Sequence, residues 1–230
     1  MSNIAVIIPC YNEENTIAKV ITDFQEILHD ANIYVYNNNS KDNTVNEALS
    51  AGAIIKNCYI QGKGATIRQA FKEIDADIYI MVDGDDTYSA QDVLKMIELI
   101  ENGADMVIGD RLSSTYFTEN KRPFHNFGNR FMRFIVNKLF SKDIYIKDIM
   151  TGYRALSKRC AKNFPCISDG FEIETELTAW ALYNNLNINE FPILYKDRPE
   201  GSKSKLNTFK DGYKVIKMAF KLAVQWKLLK

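Results

Sequence analysis

Histidine and cysteine are sparse in this 230-residue chain, and their spacing narrows the chemistry. The two histidines, His29 and His125, lie far apart, and none of the four cysteines (Cys10, Cys58, Cys160, Cys166) forms a C-x-x-C pair. That argues against a zinc cluster and against a disulfide framework. The expectation is instead reduced, mostly buried thiols in a cytosolic protein. No apolar run approaches the ~18 residues that cross a bilayer as a helix. The first such run, IAVIIP from Ile4, is short and has no basic leader, so it does not read as a signal peptide. Nor does a G-x-G-x-x-G follow it, which sets aside a nicotinamide dehydrogenase. There is no internal repeat and no linker long enough to divide the chain into independent parts.

What is present suits one large domain, or one domain with an extension. Apolar residues at 46% can fill a sizeable core, and charged residues at 25% match the globular average. Net charge is zero, yet from Gly201 onward eight lysines face a single acid, Asp211, so this tail carries +7 and the preceding body −7. A basic tail on an acidic body predicts an anionic partner near the C-terminus.

Residues 4–8 form an apolar run closed by Pro9, as a buried strand does. Ile17, Val20, Ile21, Phe24 and Leu28 then fall at helix spacing, with Asn12 as the candidate cap. IYVY (33–36) reads as a strand, TVNEALSAGA (44–53) as a helix and CYI (58–60) as a strand. Ile67, Ala70, Phe71 and Ile74 repeat the helix spacing, IYIMV (78–82) reads as a strand, Val93, Met96, Ile97 and Ile100 mark a helix, and MVIG (106–109) a strand. The second half is less regular. HNFGNRFMRFIVNKLF (125–140) predicts a helix with Phe127, Phe131, Phe134, Ile135 and Leu139 on one side. DIMTGYRALSK (148–158) reads as a loop into a strand, IETELTAWALYNN (173–185) as a helix and INEFPILY (188–195) as a strand. Strands alternating with helices predict an α/β fold, a mainly parallel twisted sheet with helices on both faces.

In such sheets the ligand lies beyond the carboxyl ends of the strands. The first four strands each run into polar sequence there: PCYNEEN, NNNSKDNT, QGKGA and DGDDTY. In the fourth, a buried strand ends in Asp83, Gly84, Asp85 and Asp86. Adjacent carboxylates repel unless a cation neutralises them. Asp83 and Asp85 can reach one ion, and oxygen-only ligation fits Mg²⁺ or Mn²⁺ held jointly with a substrate diphosphate. QGKGA lacks the Walker A spacing, but Lys63 offers positive charge to a phosphate or a contact on the base side. NNNSKDNT offers amides suited to a nucleobase edge, and equally suits a turn ending in a helix cap.

Together VIIPCYNEENTI, NNNSKDNT, GKGAT and VDGDDTY resemble glycosyltransferase family 2, with its A-type nucleotide-diphospho-sugar transferase fold, over roughly residues 3–112. GDR (109–111), DIMTGYRAL (148–156), GFEIETELT (170–178) and RPEGSKSKLNTFKDG (198–212) resemble the branch that loads sugars onto polyprenyl phosphates, dolichyl-phosphate mannosyltransferases included. The resemblance implies a glycosyltransferase domain over 1–208, with a nucleotide-binding half (1–112) and an acceptor-side half (113–208), and a basic amphipathic helix over 209–230. It implies that Pro9, Tyr11, Glu13, Asn37, Lys63, Asp83 and Gly84 bind the nucleotide-sugar donor. Asn37 stands where the family usually has a base-reading aspartate, so UDP, GDP and other donors stay open. Asp85 would bind the metal directly, with Asp83 near the ribose and metal. Thr87 stands where some relatives have a glutamine ligand.

The implied reaction is metal-dependent, inverting transfer of a sugar from a nucleotide diphosphate. Asp85, Glu174, Arg111 and Arg154 are the catalytic candidates, the arginines as preorganised positive charge beside Lys63. Of Glu172, Glu174 and Glu176, Glu174 aligns best with the family's base, which a hydroxyl acceptor requires. A lipid phosphate needs no base; it needs cations, for which Arg130, Arg198, Ser204 and Lys205 are the candidates. A polyprenyl phosphate is the preferred acceptor. A sugar hydroxyl in capsule or cell-surface glycan assembly is the alternative, and a non-catalytic nucleotide-sugar-binding subunit the second alternative. In the tail, Lys210, Lys214, Lys217 and Lys221 share one helix face, with Val215, Ala219, Leu222 and Trp226 on another. Such a helix either binds a membrane surface or docks on the domain. The expected placement is cytoplasmic and peripheral on the inner face of a membrane, alone or with a membrane-protein partner; nucleic acid is not an expected partner.

Overall fold

The computed structural model describes residues 2–113, 123–202, 204–205 and 208–227. The side chains of Phe127 and Lys210 lie outside the described residues. The first half alternates as its periodicity predicts: β1 (Ile4–Cys10), α1 (Ile17–Ile27), β2 (Asn32–Asn37), α2 (Thr44–Ser50), β3 (Ile54–Asn57), α3 (Lys63–Glu73), β4 (Ile78–Met81), α4 (Val93–Glu101) and β5 (Met106–Asp110). The second half adds α5 (Pro123–Phe140), β6 (Arg154–Ser157), α6 (Lys158–Asn163), α7 (Ile173–Tyr183), β7 (Ile188–Pro192) and α8 (Thr208–Lys227).

The seven strands form one sheet in the order β3-β2-β1-β4-β6-β5-β7. All neighbours pair parallel except at β6, which runs antiparallel to both β4 and β5. The sheet is therefore mainly parallel, as expected, with one reversed strand inserted. Successive strand side chains point to opposite faces, and β1 and β4 feed two cores accordingly. Ala5, Ile7, Tyr79 and Met81 face one core shared with α3, α5, α7 and α8. Val6, Ile8, Ile78 and Ile80 face the other, under α1 and α4. Ile17, Val20, Ile21 and Phe24 are the buried stripe of α1, at the spacing that joins one helix face.

Three expectations are corrected. The third strand is Ile54–Asn57, one step before CYI. At 58–60 the backbone carbonyls are taken by side chains: Asn38 Nδ2 donates to Cys58 O (2.9 Å) and Ile60 O (2.8 Å), and Asn39 Nδ2 to Tyr59 O (3.2 Å). Asn12 does not cap α1, which starts five residues later; it adopts φ 54° and accepts from Lys41 N at 2.8 Å, stapling the first loop to the second. In α5 the buried stripe is Met132, Ile135, Val136 and Phe140, while Phe131 and Phe134 are exposed. The helix is as expected, but rotated from its predicted face.

Candidate active site

The loops after β1, β2, β3 and β4 converge on one cleft of about 1400 Å³, closed on the far side by residues 167–174, 195–202, 204–205 and α8. The first two loops are bound to each other. Glu13 N donates to Thr44 Oγ1 (2.8 Å), Asn43 N to Glu14 Oε2 (2.8 Å) and Asn12 N to Ser40 Oγ (3.0 Å).

Asp83 and Asp85 both line the cleft, and each has a cation on it. Lys63 Nζ lies 2.5 Å from Asp83 Oδ1 and 2.5 Å from Glu174 Oε1, so one ammonium bridges two carboxylates. Arg198 pairs with Asp85 and lies 3.7 Å from Glu13 Oε1, which Lys205 Nζ approaches at 2.6 Å. Asp85 Oδ1 also accepts from the Thr87 hydroxyl at 2.6 Å. Four carboxylates (Glu13, Asp83, Asp85, Glu174) thus face three cations (Lys63, Arg198, Lys205), leaving one negative charge uncompensated in the cluster.

This arrangement sets the proton affinities. Burial and the charge of Asp83 push the Asp85 carboxyl above the ordinary range. Burial acts on Asp83 in the same direction, but the Lys63 ammonium outweighs it and holds Asp83 low. Glu174 is raised by burial, with Lys63 opposing. Burial disfavours the Lys63 ammonium, yet Asp83 and Glu174 hold it charged.

Two carboxylates on one cleft wall, Asp85 buried and Asp83 partly exposed, are hard-oxygen donors of the kind a divalent cation takes. Among the described residues no group of three His, Cys, Asp or Glu converges on a point. A cation between Asp83 and Asp85 would therefore complete its shell from the donor diphosphate and water, as Mg²⁺ commonly does.

The glycine-rich turn plays a different part from a phosphate cradle. Gly64 N and Ala65 N donate to Gly170 O (3.2 Å) and Asp169 O (3.1 Å), so these first-turn amides of α3 are already bound. An added Cβ on Gly62 or Gly64 would lie 2.1 Å from Asp169 O or 2.3 Å from Ser168 O. The glycines let segment 168–170 pack against α3 and leave the Lys63 side chain as this turn's positive charge.

Most of the expected residues meet in the cleft: Pro9, Tyr11, Glu13, Lys63, Asp83, Gly84, Asp85, Arg111, Glu174, Arg198, Ser204 and Lys205 all line it. Three do not. Asn37 turns to the sheet edge, donating to Asn57 Oδ1 at 2.9 Å, and its neighbour Asn38 takes the cleft position. Arg130 is exposed on α5, away from the lining. Arg154 is fully buried in the core, where Nε, Nη1 and Nη2 donate to Thr151 O (3.1 Å), Thr178 Oγ1 (2.8 Å) and Ile149 O (2.9 Å). Burial lowers its affinity for a proton. Its cation tethers the segment before β6 and does not reach the cleft.

Sequence reasoning missed two supporting carboxylates. Asp148 grips Arg111 with both oxygens (2.8 and 2.9 Å), and the Arg111 guanidinium lies 5.3 Å from the Tyr195 ring centre. Glu176 accepts from Ile167 N (2.7 Å), Ser168 N (2.8 Å) and the Ser168 hydroxyl, fixing the segment that packs on α3. Glu176, in the same run as Glu174, is thus an anchor. The two-residue offset between them was the available signal, because it separates their directions on a helix.

The sequence pattern of Glycosyl transferase family 2 matches residues 5–164, well over half of the chain. The chain belongs to that family. This glycosyltransferase is 35% identical over 214 residues to glycosyltransferase AglJ of Haloferax volcanii, spanning 91% of this chain and 68% of that one. It is 27% identical over 226 residues to a dolichyl-phosphate hexose transferase of the same organism, spanning 98% and 96%. Among solved structures, glucosyl-3-phosphoglycerate synthase of Mycobacterium tuberculosis in complex with Mn²⁺, UDP-glucose and phosphoglyceric acid matches with a TM-score of 0.74 at 18% identity, covering 96% of this chain and 80% of that one. That likeness shows the A-type fold. Among the described residues no helix is long and apolar enough to cross a membrane.

Proposed function

We propose that this glycosyltransferase moves a hexose from a nucleotide diphosphate to a polyprenyl phosphate by a single inverting displacement, with Mg²⁺ or Mn²⁺ held by Asp83 and Asp85. The donor binds at the first four loops, its base toward Asn38 and Gln61 and its diphosphate toward Asp83, Asp85 and Lys63. An ion held by Asp83 and Asp85 would supply Lewis-acid neutralisation of the charge on the departing diphosphate. Lys63 stays an ammonium throughout, held by Asp83 and Glu174, and adds preorganised positive charge on the donor side. Arg198 leaves Asp85 for the phosphates when the donor and ion enter. Arg111, clamped by Asp148, is aimed without needing to reorganise.

One observation carries the choice of acceptor. The candidate base, Glu174, is buried with Oε1 on Lys63, whereas Lys221 lines the same cleft beside Arg198, Lys205 and Lys214, which would exchange Asp85, Glu13 and Asp211 for an acceptor phosphate. That is an environment for an anion that is already a nucleophile. The relative named as a dolichyl-phosphate hexose transferase supports the same choice. Peripheral attachment to the inner face of a membrane follows as part of the proposal, since the acceptor resides there.

Glu174→Gln tests it. With undecaprenyl phosphate as acceptor, kcat is expected to fall by no more than about tenfold, because the Gln carbonyl still accepts from Lys63 and Asp83 still holds the ammonium. A loss of roughly 10²–10⁴-fold, matched by turnover on a sugar hydroxyl in the wild type, would make Glu174 a general base and transfer the assignment to glycan assembly.

A further inference from the structure

The segment DIMTGYRAL (148–156) runs from the Asp148 clamp into β6 and passes beside the strand that leads to the aspartates. β4 and β6 are antiparallel, with Ile80 opposite Ala155 and Met81 opposite Arg154. Two steps beyond Met81 in that register, Asp83 falls opposite Gly152. A Cβ added to Gly152 would lie 2.7 Å from Asp83 Cγ and 2.8 Å from Oδ1, and closer still to Oδ2. The Asp83 carboxylate therefore rests against the bare Cα of Gly152. Gly152 does not adopt the positive φ that would itself demand glycine. What the position supplies is space.

Asp83 is thus held from two sides, with Lys63 Nζ on Oδ1 at 2.5 Å and the backbone of Gly152 against the rest of the carboxylate. The turn that carries Gly152 is itself fixed. Gly152 N donates to the Tyr88 hydroxyl at 3.1 Å, and Arg154 Nε donates to Thr151 O at 3.1 Å. The rings of Tyr88 and Tyr153 pack with their centres 5.3 Å apart, both buried. A methyl at position 152 would meet a pinned backbone behind it and a carboxylate in front. The carboxylate is the part that can move.

We infer that Gly152 is a positioning residue for Asp83: by carrying no side chain, it lets the carboxylate settle where Lys63 and a cation shared with Asp85 both reach it. This deepens the proposed function and rests on its cation site. A side chain at 152 turns Asp83 away and leaves Asp85 as the remaining protein carboxylate for the ion.

A double-mutant cycle of Gly152→Ala and Asp83→Ala tests this, read by Mn²⁺ titration under electron paramagnetic resonance with UDP or GDP present, and by Tm. Gly152→Ala is expected to weaken Mn²⁺ binding by at least about tenfold, the scale for groups that orient a metal ligand. Asp83→Ala is expected to weaken it at least as much, and the double variant no further than Asp83→Ala alone, because both changes act through one carboxylate. Gly152→Ala is expected to lower Tm by roughly 4 °C where Asp83 is present, and not to lower it in Asp83→Ala, where the methyl fills vacated space. Wild-type Mn²⁺ affinity in Gly152→Ala overturns the inference. So does a loss, of Mn²⁺ affinity or of Tm, that is equal with and without Asp83, since Gly152 would then support the backbone alone. If the wild type binds no Mn²⁺, the cation site fails, and the Tm cycle decides separately whether Gly152 places Asp83 against Lys63. If Gly152→Ala does not fold, a double variant that folds with the Tm of Asp83→Ala upholds the inference, and one that also fails to fold overturns it.

Discussion

Asp85 and Asp83 sit two residues apart with proton affinities shifted in opposite directions: burial and the charge of Asp83 raise Asp85, while Lys63 outweighs burial at Asp83. Asp83 is tied to a lysine that is itself buried, while Asp85 is tied to Arg198, whose side chain is 28% exposed and comes from a loop. The second pair is the exchangeable one, because its arginine comes from a loop and already lies 3.7 Å from a second carboxylate, Glu13 Oε1, so it can swing to another anion. Arg198→Gln is therefore expected to tighten Mn²⁺ binding in the absence of donor by roughly two- to fivefold, the scale of one such pair, while weakening binding of a nucleoside diphosphate. Unchanged metal affinity would show that Arg198 does not compete for Asp85. At this scale the sequence was only partly legible. The carboxylates, Lys63, Glu13 and the cationic loop were readable because few roles suit such groups at strand ends. Asn37 and Asn38 were not separable, because the residue that leaves the strand and turns inward depends on where pairing with β3 ends. Arg154 was misplaced for a related reason: a buried arginine and a cleft arginine look the same until their partners are known.

Among the elements, α3 and the segment 168–170 act as one unit, joined by two amide hydrogen bonds at the helix start and fixed from behind by Glu176. Lys63 rides on this unit, and Glu174 follows it by a few residues. Gly64→Ala forces the segment off α3, since the new methyl would overlap the Ser168 carbonyl. The expected cost is roughly 1–3 kcal/mol, as for other overpacked sites. For a chain of this size that lowers Tm by roughly 2–4 °C per kcal/mol, read by calorimetry, with a rise in donor KM because Lys63 moves. A wild-type Tm would mean the backbone yields without strain. Element identity was legible wherever the period was long and clean, as in α1 and α4. It failed at CYI, where polar side chains from another loop claim the carbonyls that a strand would use. It failed at the face of α5, where phenylalanines alone do not mark the buried side.

In the whole molecule, one antiparallel strand, β6, joins β4 to β5, and Arg154 at its start is the tether. Removing it takes the guanidinium donors from Thr151 O and Ile149 O in the core, while the Thr178 hydroxyl keeps only its bond to Glu174 O. Arg154→Met is expected to destabilise by about 3 kcal/mol, the scale of leaving buried acceptors unsatisfied, seen as a lower Tm in thermal denaturation. Retained Tm with a collapse of kcat would restore Arg154 to the chemistry. Alternating strands and helices foretold a mainly parallel sheet, but the reversal at β6 was not foretold, because periodicity says which way side chains face and not which strand lies alongside. The convergence of four polar loops was legible because all four follow strands of one direction.

Asp83 and Asp85 are proposed to share a divalent cation with the donor diphosphate. Titration of Mn²⁺ followed by electron paramagnetic resonance, with and without UDP or GDP, tests it most directly. One of these nucleotides is expected to tighten Mn²⁺ binding by at least about tenfold, a coupling of ordinary size, and Asp85→Asn is expected to abolish the coupling. Mn²⁺ and both nucleotides binding independently, or coupling that persists in Asp85→Asn, would contradict it.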